Sequence, residues 1–176
     1  NAKIFDSYVM ENILFKVLFP AEFHGQTAVE AAIDLHKSLK DKNKDDKNKN
    51  DSGYHVENIE KIIITTQNAG NRIINKSGEL KNFADRDHCL QYMVAVALIE
   101  GNLESKHYLD EYANGASGSI LNFLRAKMQV VEDKQYSKDY LDLNKRAIPN
   151  AIEIFFKDGS NLAKKEVYYP IGHKNR

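Results

Sequence analysis

The run NAIEIFFKDGSNLAKKEVYYPIG, residues 150–172, sets two apolar-alternating segments on either side of Lys157-Asp158-Gly159-Ser160-Asn161. Period-two alternation broken by turn residues predicts a β-hairpin, here with a longer than minimal turn. The two strands must be antiparallel, so a sheet wound only from parallel strands is excluded. Upstream the chain mixes other patterns. ENIEKIIITTQNAG is β-branched and bounded by polar and glycine residues, which predicts a strand over 59–67. QVVE, residues 129–132, predicts a short one. Interspersed helices and a closing hairpin together specify an α+β fold, a small, mostly antiparallel sheet with helices packed on one face.

The helices are read from apolar spacing. Thr27-Ala-Val-Glu30 has the S/T-x-x-E form of a capping box and is followed by Val29, Ala32, Ile33, His36 and Leu39 on one face, which predicts a helix over 27–39. Residues 70–84 read as a loop apart from the apolar pair Ile73-Ile74. Asp85 is the expected N-cap of a helix DRDHCLQYMVAVALIE, with Cys89, Leu90, Met93, Val94, Ala97 and Leu98 as its core face and Gly101 just past its end. NGASGS, residues 114–119, is a turn that starts the helix ILNFLRAKM. The apolar stretch 8–19 is a strand or the tail of a helix and stops at Pro20. KDKNKDDKNKNDSG, residues 40–53, has no apolar side chain and reads as a solvated, mobile insertion.

With 176 residues, 42% hydrophobic and 28% charged, the chain is long enough for one globular domain spanning 1–176. Its 25 basic and 25 acidic side chains cancel, so no global basic field recruits nucleic acid, and no apolar run predicts a membrane span. The single cysteine, Cys89, forms no internal disulfide and cannot hold a cubane cluster or a zinc finger by itself. Signatures of dinucleotide, P-loop, zinc-protease and EF-hand sites are absent, and no metal or cofactor is expected.

What the residues offer is a scatter of polar groups in apolar contexts. His24, in FHGQT, precedes the free N–H groups of a helix, and Gly25 beside it admits a close approach; a carboxylate site and a capping or loop-packing histidine both fit. His88 and Tyr92, four apart, would share a second helical face that meets a polar cleft, a partner or solvent. Arg86 in a first helical turn opposes the helix dipole, which suits a functional contact or a salt bridge to Asp85 or Asp87. Lys16 interrupts ILFKVLF and would snorkel to solvent or pair with an acidic substrate. The closing YYPIGHKNR reads as a surface exit segment.

Several long segments carry a further signal: YVMENILFKVLFPAEFHGQTAVEAA, NRIINKSGELKNFADRDHCLQYMVAVAL, VVEDKQYSKDYLDLNKRAIPNAIEIFFKDGS and YYPIGHKNR. In order and over nearly the whole chain they resemble the dehydratase branch of the MmgE/PrpD family, with residues 40–53 as the main departure. The resemblance implies a lyase that removes water from 2-methylcitrate to give 2-methyl-cis-aconitate, without a cofactor, in the 2-methylcitrate cycle of propionate breakdown. It also implies a two-domain enzyme in which this chain is the smaller α+β lid. On that reading an all-helical domain before it and a helical segment after it are missing, and the chain alone shows no turnover. Tyr92, Lys16 and His24 are then the expected catalytic contributions, with His88 and Arg86 positioning the substrate. The expected partners are a tricarboxylate, the helical domain and a second copy in a homodimer. The expected location is mitochondrial in a eukaryote and cytoplasmic in a bacterium. Two other readings stay open: a relative of cis-aconitate decarboxylase, and a non-catalytic anion- or protein-binding domain.

Overall fold

The computed structural model describes residues 18–44 and 56–176. Lys16, nearly all of the apolar stretch 8–19, and residues 45–53 of the low-complexity run lie outside the described residues. A 3-10 turn, Phe23–Gly25, leads into α1, Gln26–Lys44. There follow β1, Ile59–Thr66; α2, Asn68–Ile73; α3, Phe83–Asp87; and α4, Leu90–Glu100. Next come α5, Asp110–Ala113; α6, Gly118–Ala126; β2, Met128–Glu132; and α7, Lys134–Leu141. The hairpin closes the chain with β3, Asn150–Phe156, and β4, Asn161–Val167.

The four strands form one sheet in the order β2-β1-β3-β4. β3 is antiparallel to both of its neighbours, while β1 and β2 are parallel, with Ile62 opposite Met128 and Thr66 opposite Glu132. One face carries Ile62, Ile64, Ile152 and Ile154, all fully buried against α1 and the helices behind it. The expected α+β architecture is therefore present, with helices α1 and α4 layered on that face. At one end of the opposite face, α7 brings Tyr136 against Glu166 of β4, and Thr65 and Ala151 are buried there.

α4 is the centre of the molecule. All nine residues from Leu90 to Leu98 are buried, so the expected core face covers only part of its contacts. A helix apolar on every side belongs inside. It ends at Gly101, whose φ of 66° is the left-handed conformation that suits glycine. A side chain there would also strike the His36 ring, which lies 2.6 Å from where a Cβ would sit. His36 in turn donates its Nδ1–H to the carbonyl of Leu98 at 2.8 Å, tying α1 to α4.

The structure departs from the sequence expectations at five places. α1 runs on to Lys44, because a helix already nucleated propagates at little cost through helix-compatible residues. Its start is not a capping box. Thr27 lies within the helix and donates its hydroxyl to the Ile148 carbonyl at 2.5 Å, while Glu30 pairs with Arg176.

The expected single helix over 85–100 is two helices, and residues 68–73 form a further one where a loop was expected. α3 is capped by Asn82, whose Oδ1 accepts from the Asp85 N–H at 3.0 Å. His88 ends α3, and Cys89 is extended at φ −119°, ψ 108°. Tertiary bonds explain the break: the Leu90 N–H donates to the Ile74 carbonyl at 2.7 Å, and the Cys89 thiol donates to the Lys76 carbonyl at 3.4 Å. His88 and Tyr92 consequently do not share a helical face.

Finally, the closing segment packs back on the domain instead of leaving its surface. His173 is buried with its Nε2–H on the Arg146 carbonyl, and Asn175 donates to the carbonyls of Asn144 and Lys145. Arg176 makes a two-pronged pair with Glu30 at 2.5 and 2.7 Å.

Candidate functional site

Two buried polar clusters take up the sequence-predicted residues. The first lies where α3, α4 and the 3-10 turn Ser105–Tyr108 meet. Arg86 is 2% exposed; its Nη1–H donates to the Tyr108 carbonyl at 2.7 Å, and its Nη2 pairs with Asp110 at 2.6 Å. Tyr92 is 3% exposed and donates its hydroxyl to the His107 carbonyl at 2.5 Å. Its ring stacks on Tyr108, with centroids 6.2 Å apart. Burial, opposed in part by the positive charge of Arg86, pushes the Tyr92 phenol up to about 12. Both residues thus hold the 107–110 segment in place, and both of their backbone acceptors are carbonyls.

The second cluster lies around the turn before α1, close to where β1 ends and β3 begins. His24, 8% exposed, stands between two partners. Its Nδ1 lies 2.9 Å from Glu22 Oε1, and its Nε2 lies 3.1 Å from the Tyr140 hydroxyl on α7. Glu22 also accepts the His24 backbone N–H through Oε2 at 2.8 Å, so one carboxylate fixes both ring and backbone. Because a carboxylate can only accept, Nδ1 is the protonated nitrogen, leaving Nε2 to accept the phenol proton in neutral His24 or donate to its oxygen in the imidazolium. Burial alone would raise the Glu22 carboxyl, but its hydrogen bonds and charge interaction with His24 outweigh that and hold it below the ordinary glutamate value. His88 adds a smaller, same-signed contribution through space. The His88 side chain is itself half-exposed, with Nδ1 3.4 Å from Asp87.

Backbone and neighbours explain why His24 sits where it does. Asn150, at the start of β3, donates through Nδ2 to the His24 carbonyl at 2.8 Å and to Thr27 Oγ1 at 2.7 Å. Gln26 donates to the carbonyls of Phe19 and Ala21, folding the preceding residues over the helix end. Gly25 lets the turn approach α4, since a Cβ there would lie 2.8 Å from Met93 Cε. Beside this turn, Asn150 Oδ1, Thr66 Oγ1 and Gln67 Nε2 are buried without a hydrogen-bonding partner from the described residues. Asn150 and Thr66 face each other across β3 and β1. One acceptor, one hydroxyl and one donor there are uncommitted to the described residues.

Of the expected site residues, the structure brings Arg86 and Tyr92 together at the 107–110 segment, while His24 pairs with Glu22 and Tyr140, and His88 pairs with Asp87. Glu22, Tyr140 and Asn150 were not among them. Glu22 carried a readable signal, an acid two residues from a histidine in a loop. Tyr140 carried none, being 116 residues from its partner. Among the described residues no group of three His, Cys, Asp or Glu side chains could hold a metal ion, and no helix is long and apolar enough to cross a membrane.

Residues 19–176 match the family model described as the MmgE/PrpD C-terminal domain. The chain is 51% identical, over 98% of its length, to the mitochondrial 2-methylcitrate dehydratase of Yarrowia lipolytica. It is 49% identical to the probable 2-methylcitrate dehydratase of Saccharomyces cerevisiae and 48% identical to the 2-methylcitrate dehydratase of Salmonella typhimurium, again over 98% of the chain. It covers 31% of the two yeast proteins and 33% of the bacterial one, and so spans about a third of the length of the curated relatives it matches. The chain belongs to the MmgE/PrpD family and carries that family's C-terminal domain.

Proposed function

We propose that this domain is the lid part of a 2-methylcitrate dehydratase, closing over a tricarboxylate and helping to expel water from it. The observation that carries the reading is identity of 48–51% across 98% of the chain to proteins named for that activity. The His24 cluster supports it chemically. Loss of water needs a proton delivered to the departing oxygen, and a buried imidazole held between a carboxylate and a phenol is a proton-handling device.

On this reading His24 contributes to proton transfer, His88 helps to position the substrate, and Lys16 would neutralise a substrate carboxylate. Arg86 and Tyr92 brace the fold of the lid, by fixing the 107–110 segment. A homodimer of the whole enzyme belongs to the same reading. The mitochondrial name of the Yarrowia lipolytica relative supports a mitochondrial location if the source is a eukaryote.

Incubation with 2-methylcitrate, followed by ultraviolet absorbance of the conjugated product, tests the proposal. A full-length protein carrying this domain is expected to turn over substrate, and the 176-residue chain alone is not. An inert full-length protein, or an active isolated chain, would overturn it.

A further inference from the structure

The contacts of His24 end at a residue that no sequence signal marks. Tyr140 stands on α7, half-buried, and its hydroxyl meets His24 Nε2 at 3.1 Å, with ring centroids 5.6 Å apart at 44°. The order is carboxylate, imidazole, phenol: Glu22, His24, Tyr140. The inner member, His24, is fixed by four hydrogen bonds, two to Glu22, one from Asn150 to its carbonyl and one to Tyr140 itself. A proton entering at one end has a side-chain acceptor at each step, and Tyr140 is partly exposed.

We propose that Tyr140 is a catalytic acid of the dehydratase, backed by His24, with Glu22 as a positioning residue. The proposal rests on the dehydratase reading and adds to it the group that touches the leaving oxygen. With His24 as the imidazolium, Nδ1–H goes to Glu22 and Nε2–H to the Tyr140 oxygen, which frees the phenolic proton to point at substrate. As the substrate C–O bond breaks, its electron pair stays on oxygen. That oxygen takes the Tyr140 proton and departs as water. The Nε2 proton moves to the phenolate, restoring Tyr140, and His24 is left neutral with Nδ1–H still on Glu22. A general base elsewhere in the enzyme takes the carbon-bound proton, whose electron pair forms the new double bond. Proton exchange with solvent resets both groups, so the net reaction is substrate to alkene plus water. Burial and the nearby Glu22 charge both push the Tyr140 phenol up, which keeps it a donor at neutral pH.

The test uses full-length enzyme. Tyr140→Phe is expected to lower kcat at least tenfold with KM within twofold, since the lost contact is made to the reacting oxygen. Among the described residues the titratable groups that meet the His24 ring are Glu22 on its own turn and Tyr140 on α7, with His88 at the end of α3 acting through space on Glu22. Glu22→Gln is therefore expected to move the alkaline limb of the kcat–pH profile to lower pH, and Glu22→Asp to move it back. A fluorotyrosine at position 140, with a more acidic phenol and the same shape, separates chemistry from folding by changing kcat at unchanged thermal stability. Wild-type activity that survives Tyr140→Phe with the same pH profile would overturn the role of Tyr140 alone. A wild-type enzyme inert toward 2-methylcitrate would overturn the dehydratase reading and this role with it.

Discussion

The two buried polar clusters are built from similar side chains and end in different chemistry. At Arg86 and Tyr92 the backbone hydrogen bonds stop on the carbonyls of Tyr108 and His107, and the one carboxylate, Asp110, faces a guanidinium that gives up no proton. A peptide oxygen accepts a hydrogen bond but keeps no proton at ordinary pH, so such a cluster can brace but cannot relay. At His24 each ring nitrogen meets a titratable side chain. Burial alone does not separate these cases, because Arg86, Tyr92 and His24 are all less than a tenth exposed. What separates them is whether both members of a contact can change protonation state, as the imidazole of His24 and its partners can and the guanidinium of Arg86 or a peptide carbonyl cannot.

The largest effect expected from this contrast is on stability. Arg86→Leu strands the buried Tyr108 carbonyl and removes the pair with Asp110, and denaturant unfolding is expected to show a loss of about 3 kcal/mol. A loss below 1 kcal/mol would mean the 107–110 segment is held by other contacts. Asn150→Ala releases the His24 carbonyl and Thr27 together and is expected to cost about 2 kcal/mol. Because that change also frees the His24 turn, kcat of the full-length enzyme should fall with it, a coupling that Arg86→Leu should lack below its unfolding temperature.

Tyr92→Phe sharpens the comparison further. It leaves one buried carbonyl unpaired, so a stability loss of about 1 kcal/mol is expected with kcat/KM unchanged. A tenfold fall in kcat/KM at unchanged stability would instead move Tyr92 into the chemistry. The smallest effect is with pH. The Glu22 carboxyl is held below its ordinary value, so its contribution to folding is fully present above that value and is lost as pH falls through the lower, folded one. The His24 backbone amide resonance, which reports the bond to Glu22, should therefore show a shift whose midpoint lies below the ordinary glutamate range. Glu22→Gln should abolish that shift.

The architecture was legible because its signals are local. The Lys157–Asn161 turn and its flanking alternation mark the hairpin, and the β-branched run marks β1. The break at His88-Cys89 was not legible, since no glycine or proline stands there and the bonds that replace helical ones come from Ile74 and Lys76. Site residues divide the same way. His24 stood out beside Gly25 in an otherwise apolar run, and Glu22 was within reach of the same reading. Tyr140 sits in a polar helix where tyrosine is unremarkable, and only the packing of α7 against the first turn gives it a partner. The terminal segment misled for a related reason: Pro170 and Gly172 suggest an exit, while Arg176 finds Glu30 across 146 residues.

The separation of 116 residues between His24 and Tyr140 also bears on the order in which the domain forms. The β3–β4 hairpin closes a short loop and is available early, whereas the β1–β2 pair must close the long crossover between Ile62 and Met128 first. α7 follows β2 directly, with Asp133 capping it, so Tyr140 can reach His24 only after that crossover has closed. The imidazole–phenol contact is thus among the last to form during refolding, and its appearance in time-resolved spectra should coincide with completion of the sheet. A domain stalled at a collapsed intermediate would hold its hairpin and its apolar helix, and would lack the array.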